Sequence, residues 1–337
     1  MIWHLVLIGK GVVMNSNEMA SGNSIVHRAA WRGAELADSD FWEMKLPEHW
    51  MDPADSLSEA KWYADIQREL ENGKGGVLIK ASEMLQAYST NQLTDIFRRF
   101  CAQIGTPISQ SAKGETVFSV RDEGFGKDDA RTRGPNTRNK LSFHTDRCDV
   151  IAFLCLQTAK SGGENQVVSS MTLYNEMLKR RPDLAETLEQ PFYYQRHNVD
   201  LGNSSPYTQQ PIFSFYEGAF ASNFLRVLIE RAYASGEVPE MTDKQKEAMD
   251  FLEELADDTD LHFTFRQEQG DILLLNNWVT YHRRTAFEDF DDLDRRRHLL
   301  RVWLSMPNSR AIDPLFAGNY GETAAGAIRG GMKARTG

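Results

Sequence analysis

Two histidines and one aspartate carry the chemistry of this sequence. His144 and Asp146 flank Thr145 in KLSFHTDRCDV, and His282 lies far downstream in GDILLLNNWVTYHRRTAF. Two imidazoles and one carboxylate can occupy one face of a six-coordinate metal and leave the opposite face open. That is the 2-His-1-carboxylate arrangement of non-haem Fe(II) sites. Alternate side chains of a strand share a face. A strand through 144–146 therefore predicts that His144 and Asp146 approach one ion together while Thr145 turns away. Taken alone, a His-x-Asp triplet is common, and a single histidine more often packs than ligates.

Context adds weight. LSFHTD reads as the end of an apolar strand, and GDILLLNNWVTYHRR reads as a buried strand with His282 at its far end. Arg301 then falls inside the apolar run HLLRVWLSMP. A charge there is costly unless paired, and a planar guanidinium suits a carboxylate. A structural ion pair competes evenly with that reading. Arg297 has the same parity, so both arginines can point to one face, although it also borders the charged run DDLDRRRHL. Arg147, Arg297 and the loop arginines Arg131, Arg133 and Arg138 suggest an anionic or zwitterionic small molecule as ligand.

These residues need a scaffold. SLSEAKWYADIQRELENGKGG reads as a helix capped by Ser56 or Ser58, GVLIK as a short buried strand, and STNQLTDIFRRFCAQIGTP as a second amphipathic helix. From Glu115 onward the runs ETVFSVRD, DVIAFLCLQTA, NQVVSS, PFYYQRH, PIFSFYEG, LHFTFRQ, DILLLNN and HLLRVWLSMP read as strands. Helical stretches interrupt them at about 172–190 and 222–258. Many strands with helical insertions predict a mainly β, α+β architecture with helices packed outside a barrel or sandwich. No GxGxxG follows a strand, which disfavours a Rossmann sheet. Two polar segments, DEGFGKDDARTRGPNTRNK and RHNVDLGNSSPYTQQP, read as loops over the site.

Bulk properties narrow the function. A chain of 337 residues with 41% hydrophobic and 26% charged residues is ordinary for a globular protein. A formal charge of -10 argues against a nucleic-acid partner. The first residues, MIWHLVLIGKGVV, are too short and interrupted for a membrane span or signal peptide, and residues 14–30 read as polar and loose. Cys101, Cys148 and Cys155 form no CxxC pair and fit a reducing cytoplasm. Cys148 reads as a small buried residue rather than a ligand. Oligomeric state is not encoded legibly, and a homo-oligomer is compatible.

The order His144-Thr145-Asp146, AKSGGEN, NNWVTYHRR and RRRHLLRVWL resembles that of TauD/TfdA-like, clavaminate-synthase-like Fe(II)/2-oxoglutarate-dependent dioxygenases, over roughly residues 75–310. The resemblance implies a double-stranded β-helix (jelly-roll) core within a single dioxygenase domain spanning 36–320. A flexible N-terminal segment, 1–35, precedes it and a C-terminal tail, 321–337, follows. The resemblance also implies that His144, Asp146 and His282 ligate Fe(II), with 2-oxoglutarate and O2 as co-substrates. Arg301 would pair with the distal carboxylate of 2-oxoglutarate, and Asn165, where the family often has Thr or Ser, would hydrogen-bond it. Arg297 matches a position that meets the substrate's anionic group in taurine-type members. Decarboxylation to succinate and CO2 would power removal of a substrate hydrogen. Asp146 also speaks against halogenation, since halogenating relatives have a small residue there.

Two other classes compete. A zinc hydrolase can use the same three ligands, but it gives Arg301 no task. A non-catalytic jelly-roll binding or sensor protein can keep a metal site, but it does not require all three ligands and the arginine.

Overall fold

The alternating apolar runs become two facing sheets. A computed structural model describes residues 19–36, 42–47, 56–82, 88–124, 136–196 and 205–333, with 56–58 by backbone alone. In chain order the strands are β1 (Glu43–Met44), β2 (Gly76–Lys80), β3 (Thr106–Ile108), β4 (Val117–Val120), β5 (Val150–Gln157), β6 (Ser161–Gly162), β7 (Asn165–Ser169) and β8 (Phe192–Gln195). They continue as β9 (Tyr207–Gln210), β10 (Phe213–Tyr216), β11 (Ala219–Ser222), β12 (His262–Phe265), β13 (Asp271–Asn276), β14 (Thr280–Arg284), β15 (Phe287–Glu288) and β16 (His298–Ser305). The larger sheet has the order β1-β2-β13-β5-β16-β3, with β4 also pairing β16. The smaller sheet has the order β12-β7-β14.

The period-two rule decides what each sheet presents. On β16, Leu300, Val302 and Leu304 pack outward against the helices Ser56–Glu71 and Thr90–Ile104. Leu299, Arg301 and Trp303 therefore face inward. There Trp303 clusters with Ile151, Leu273 and Leu275 of its own sheet and with Val167 of the opposite sheet. Each fully buried Leu or Ile adds about 1.5–3 kcal/mol. On β14, Tyr281 joins the core beneath the helices on the other side. His282 and Arg284 thus turn inward, with His282 opposite Val167 in the ladder.

The helices follow from their sequences. Thr90–Ile104 buries Leu93, Ile96, Phe97, Phe100, Cys101 and Ile104 on one stripe. The Ser89 amide donates to Gln92 Oε1 at its start. Ser170–Arg180 and Pro182–Leu188 are separated at Arg181, where Pro182 starts a new helix. With Asp243–Asp257 they cover the outside of the smaller sheet.

Several expectations change. Residues 19–30 are not loose. Ile25, Ala29 and Trp31 are buried, and Asn175 exchanges hydrogen bonds with Ile25. Short polar runs looked solvated only because their partners lie far off in the chain. GVLIK, read as a short buried strand, joins the larger sheet as β2. Ser58 lies inside the helix that begins at Ser56. No strand runs through 144–146. His144 makes an isolated bridge to His282, and the chain then turns. Nor does His282 end the DILLLNN strand. It sits on β14, in the opposite sheet.

Tyr207–Gln210, placed in the second loop, pairs with β8, while 197–204 lie outside the described residues. So do 125–135 of the first loop, including Arg131 and Arg133. Residues 321–333 pack onto the barrel, with Arg329 and Met332 buried. Among the described residues no helix is long and apolar enough to cross a membrane.

Candidate metal centre

His144, Asp146 and His282 converge, with one ligand atom from each within 4.8 Å of the others. The His144 and His282 rings are 4.6 Å apart, and His282 Nε2 is 3.8 Å from Asp146 Oδ2. His144 Nδ1 lies 2.9 Å from the Ser142 carbonyl, which can only accept a hydrogen bond. Nδ1 therefore carries the proton and Nε2 keeps its lone pair for a ligand.

The missing strand is replaced by a braced loop. Thr145 is buried and points away from the triad, as its parity predicts. Its Oγ1 accepts from Asn223 Nδ2 at 2.8 Å and from the Phe224 amide at 3.1 Å. The Asp146 amide donates to Asn277 Oδ1 at 3.0 Å, and Asn277 Nδ2 lies 3.1 Å from Cys148 Sγ. Cys148 is thereby occupied as a buried packing residue. Asp149 accepts from Arg329, Trp278 and the Met306 amide. Thr145, Asn277 and Asp149 brace this loop; the sequence turned Thr145 away from the ion but gave none of the three a bracing task. Their partners come from distant segments, so no local pattern marks them.

The site is charged for a cation. Burial, then His144 and Arg301, pull His282 down to about 3, so its imidazole is neutral at physiological pH and free to donate a lone pair. Its proximity to Asp146 is therefore the approach of two donors to one point rather than an ion pair. Burial works to raise the Asp146 pKa, but Arg301 and the two histidines outweigh it and hold the carboxyl below its usual range. Asp146 Oδ2 and His282 Nδ1 are buried without a hydrogen-bond partner. Orphaned buried donors and acceptors need an explanation, and a metal bound to this N,N,O set supplies one for the carboxylate.

The predicted arginines sit differently from one another. Arg301 is 8% exposed; its Nε donates to Gln110 Oε1 at 2.7 Å and its Nη1 is 3.5 Å from Asp146 Oδ2. Arg297 is 6% exposed and lies over the Phe287 ring at 5.3 Å. Its backbone amide bonds Asp289, but its guanidinium has no hydrogen-bond partner among the described residues. Burial pulls its pKa down to about 10. Arg295 and Arg296 do belong to the charged turn around Leu293–Arg295. Arg147 is half-buried on the ligand loop. Asn165 opens β7 opposite Arg284, and its Nδ2 is 3.4 Å from Gln267 Oε1. Arg284 covers the same Phe287 ring at 4.6 Å and donates to the carbonyls of Thr137 and Thr285.

Known proteins are similar to this chain in sequence and fold. Residues 47–303 match the family described as taurine catabolism dioxygenase TauD, TfdA family. FR-33289 synthase of Streptomyces rubellomurinus is 29% identical over 316 residues, covering 85% of this chain and 91% of that protein. Taurine hydroxylase-like protein SAT17 of Stachybotrys chartarum is 32% identical over 173 residues, 50% of this chain and 43% of that one. An asparagine oxygenase structure with Fe(II), 3-hydroxyasparagine and succinate shares the fold, at TM-score 0.57 and 16% identity, covering 78% of this chain and 93% of that one. The non-haem iron oxygenase OrfP, solved with Fe and alpha-ketoglutaric acid, does so at TM-score 0.54 and 14% identity, covering 74% and 80%. The double-stranded β-helix expectation holds, and the hydrolase and binding-only readings are not favoured. The match over most of the sequence, together with the converging triad, places the chain in the TauD/TfdA family as an Fe(II)/2-oxoglutarate-dependent dioxygenase.

Proposed function

We propose that this enzyme oxidises an unactivated C–H bond of a small anionic or zwitterionic molecule, such as an amino acid or a natural-product intermediate. The outcome is hydroxylation, or desaturation or cyclisation. His144, Asp146 and His282 would hold Fe(II), which with 2-oxoglutarate and O2 supplies the oxidising power when bound. The chain's own residues bind, orient and exclude water. Relatives named for taurine and asparagine support the substrate class.

Motif order gave Arg301 to the co-substrate and Arg297 to the substrate. The geometry supports the exchange of those roles. The observation that carries this is the buried Arg297 guanidinium, which makes no hydrogen bond or ion pair to a carboxylate among the described residues. It lies beside Gly163, where a Cβ would be 3.4 Å from Arg297 Nε, and Gly163 precedes Asn165 by two positions. Asn165 and Arg297 would thus hold the distal carboxylate of 2-oxoglutarate together. Arg301 is tied to Gln110 and leans on the metal ligand Asp146. It is placed to neutralise an anionic substrate group near the metal, with Arg147 on the adjoining loop as a second contact. The three buried free cysteines support a reducing, cytoplasmic setting.

The test is turnover with candidate acids, measured as substrate-triggered succinate release with mass spectrometry of the product. Amino acids or sulfonates should stimulate it. Stimulation by neutral or cationic compounds alone would refute the anionic reading.

A further inference from the structure

The C-terminal segment runs alongside the loop that carries Asp146. The Gly331 amide donates to the Arg147 carbonyl at 2.8 Å, and the Met332 amide donates to the Ser109 carbonyl at 2.8 Å. The segment thus bridges the ligand loop to the stretch before Gln110, which holds Arg301. Arg329 Nε donates to Asp149 Oδ1 at 2.7 Å, with both side chains shut off from solvent.

Gly330 makes the closest approach. It has φ +80°, and a Cβ there would lie 2.5 Å from the Arg147 carbonyl oxygen and 3.3 Å from Cys148 Cα. Those are backbone atoms of the two residues after Asp146, so they can yield only by moving the loop.

We propose that residues 329–332 are the positioning element of the metal carboxylate. Gly330 lets the segment lie against Arg147 and Cys148, and Arg329 fixes the far end of the loop through Asp149. The inference rests on the reading of His144, Asp146 and His282 as metal ligands.

Other glycines supply the controls. Gly321 has nearly the same φ, +79°, but nothing lies within 4 Å of its Cβ position. Gly326 has φ +68°, and its Cβ would lie 2.7 Å from the Pro307 carbonyl oxygen, away from the ligand loop. The first imposes strain alone, and the second imposes strain and a clash elsewhere.

Full-length Gly330→Ala, Gly326→Ala and Gly321→Ala proteins would be compared by apoprotein melting and by Co(II) titration followed through its visible ligand-field bands. Gly330→Ala should weaken Co(II) binding by about tenfold or more, in line with supports of metal ligands elsewhere. Gly326→Ala should lower the melting temperature and leave Co(II) affinity unchanged, and Gly321→Ala should also leave it unchanged. Wild-type Co(II) affinity in Gly330→Ala, or equal losses in all three, would overturn the proposal. Should Gly330→Ala fail to fold, Arg329→Lys answers the same question. It keeps the charge beside Asp149 and loses the bonds from Nη2 to the Arg310 carbonyl and from Nη1 to the Thr323 and Ala324 carbonyls. It should weaken Co(II) binding, and unchanged affinity would overturn the proposal. His144→Ala tests the underlying reading separately. If it binds Co(II) as wild type does, the metal assignment falls and the positioning role falls with it.

Discussion

His144 and His282 are joined through their backbones. The amide of each donates to the carbonyl of the other, at 3.1 and 3.0 Å. Two candidate ligands from distant parts of the chain are therefore set by peptide groups rather than by flexible side chains. The third candidate ligand, Asp146, follows on a loop, and its amide is caught by the Asn277 side chain. Iron chemistry needs this kind of preorganisation, because ligand geometry tunes the metal.

Thr145 tests the bracing of that loop. Thr145→Val keeps the shape but leaves Asn223 Nδ2 and the Phe224 amide without their shared acceptor. The expected cost is about 1–3 kcal/mol, seen as a lower apoprotein melting temperature, together with weaker Co(II) binding. Thr145→Ser, which keeps the hydroxyl, should restore most of both. Equal behaviour of Val and Ser would show that the hydroxyl does not brace the loop.

Arg297 and Arg301 should separate kinetically. Arg297→Ala should raise the 2-oxoglutarate concentration for half-maximal turnover by about 10- to 100-fold, the worth of one or two hydrogen bonds to a charged group. Arg301→Ala should instead raise the substrate KM and spare the 2-oxoglutarate requirement. Steady-state succinate assays varying each component decide this. The opposite pattern would restore the assignment read from motif order alone.

Much of this site was legible, and what was not has physical reasons. His144 and Asp146 were visible by residue type and spacing. Arg301 was visible because a guanidinium inside an apolar strand demands a partner. The strand assumed for 144–146 was absent, yet the two side chains converge because the His144–His282 bridge does the work of a ladder. β14 was not separable from the DILLLNN run because Arg283 and Arg284 interrupt the apolar pattern with charge. Arg283 lies over Phe143 at 4.0 Å and pairs with Asp257. Arg329 was hidden for a similar reason: a charged residue in a glycine-rich terminus reads as surface, and its partner Asp149 lies far away in sequence. Contacts between distant segments leave no period in the sequence.

Acid should weaken the apoprotein before its carboxylates titrate. Burial lowers the pKa of His27, His262 and His298, and pulls His282 down to about 3. The unfolded chain takes up protons near the ordinary histidine value of 6.5. The folded chain does so only at lower pH, so stability falls as pH drops through this window. Glu189 and Glu253, raised by burial, act in the opposite sense, but nearer the carboxylate range. Melting temperatures of the metal-free protein should decline between about pH 7.5 and 5.5, and less steeply in His282→Gln. A flat profile would show that these histidines are not buried in the neutral form.

The central claim is that His144, Asp146 and His282 hold Fe(II) in a site that also takes 2-oxoglutarate. Apoprotein mixed anaerobically with Fe(II) and then 2-oxoglutarate should give a visible charge-transfer band that needs both components and is lost in His144→Ala. No band from the wild-type protein, together with tight Zn(II) binding and hydrolytic activity, would contradict the account.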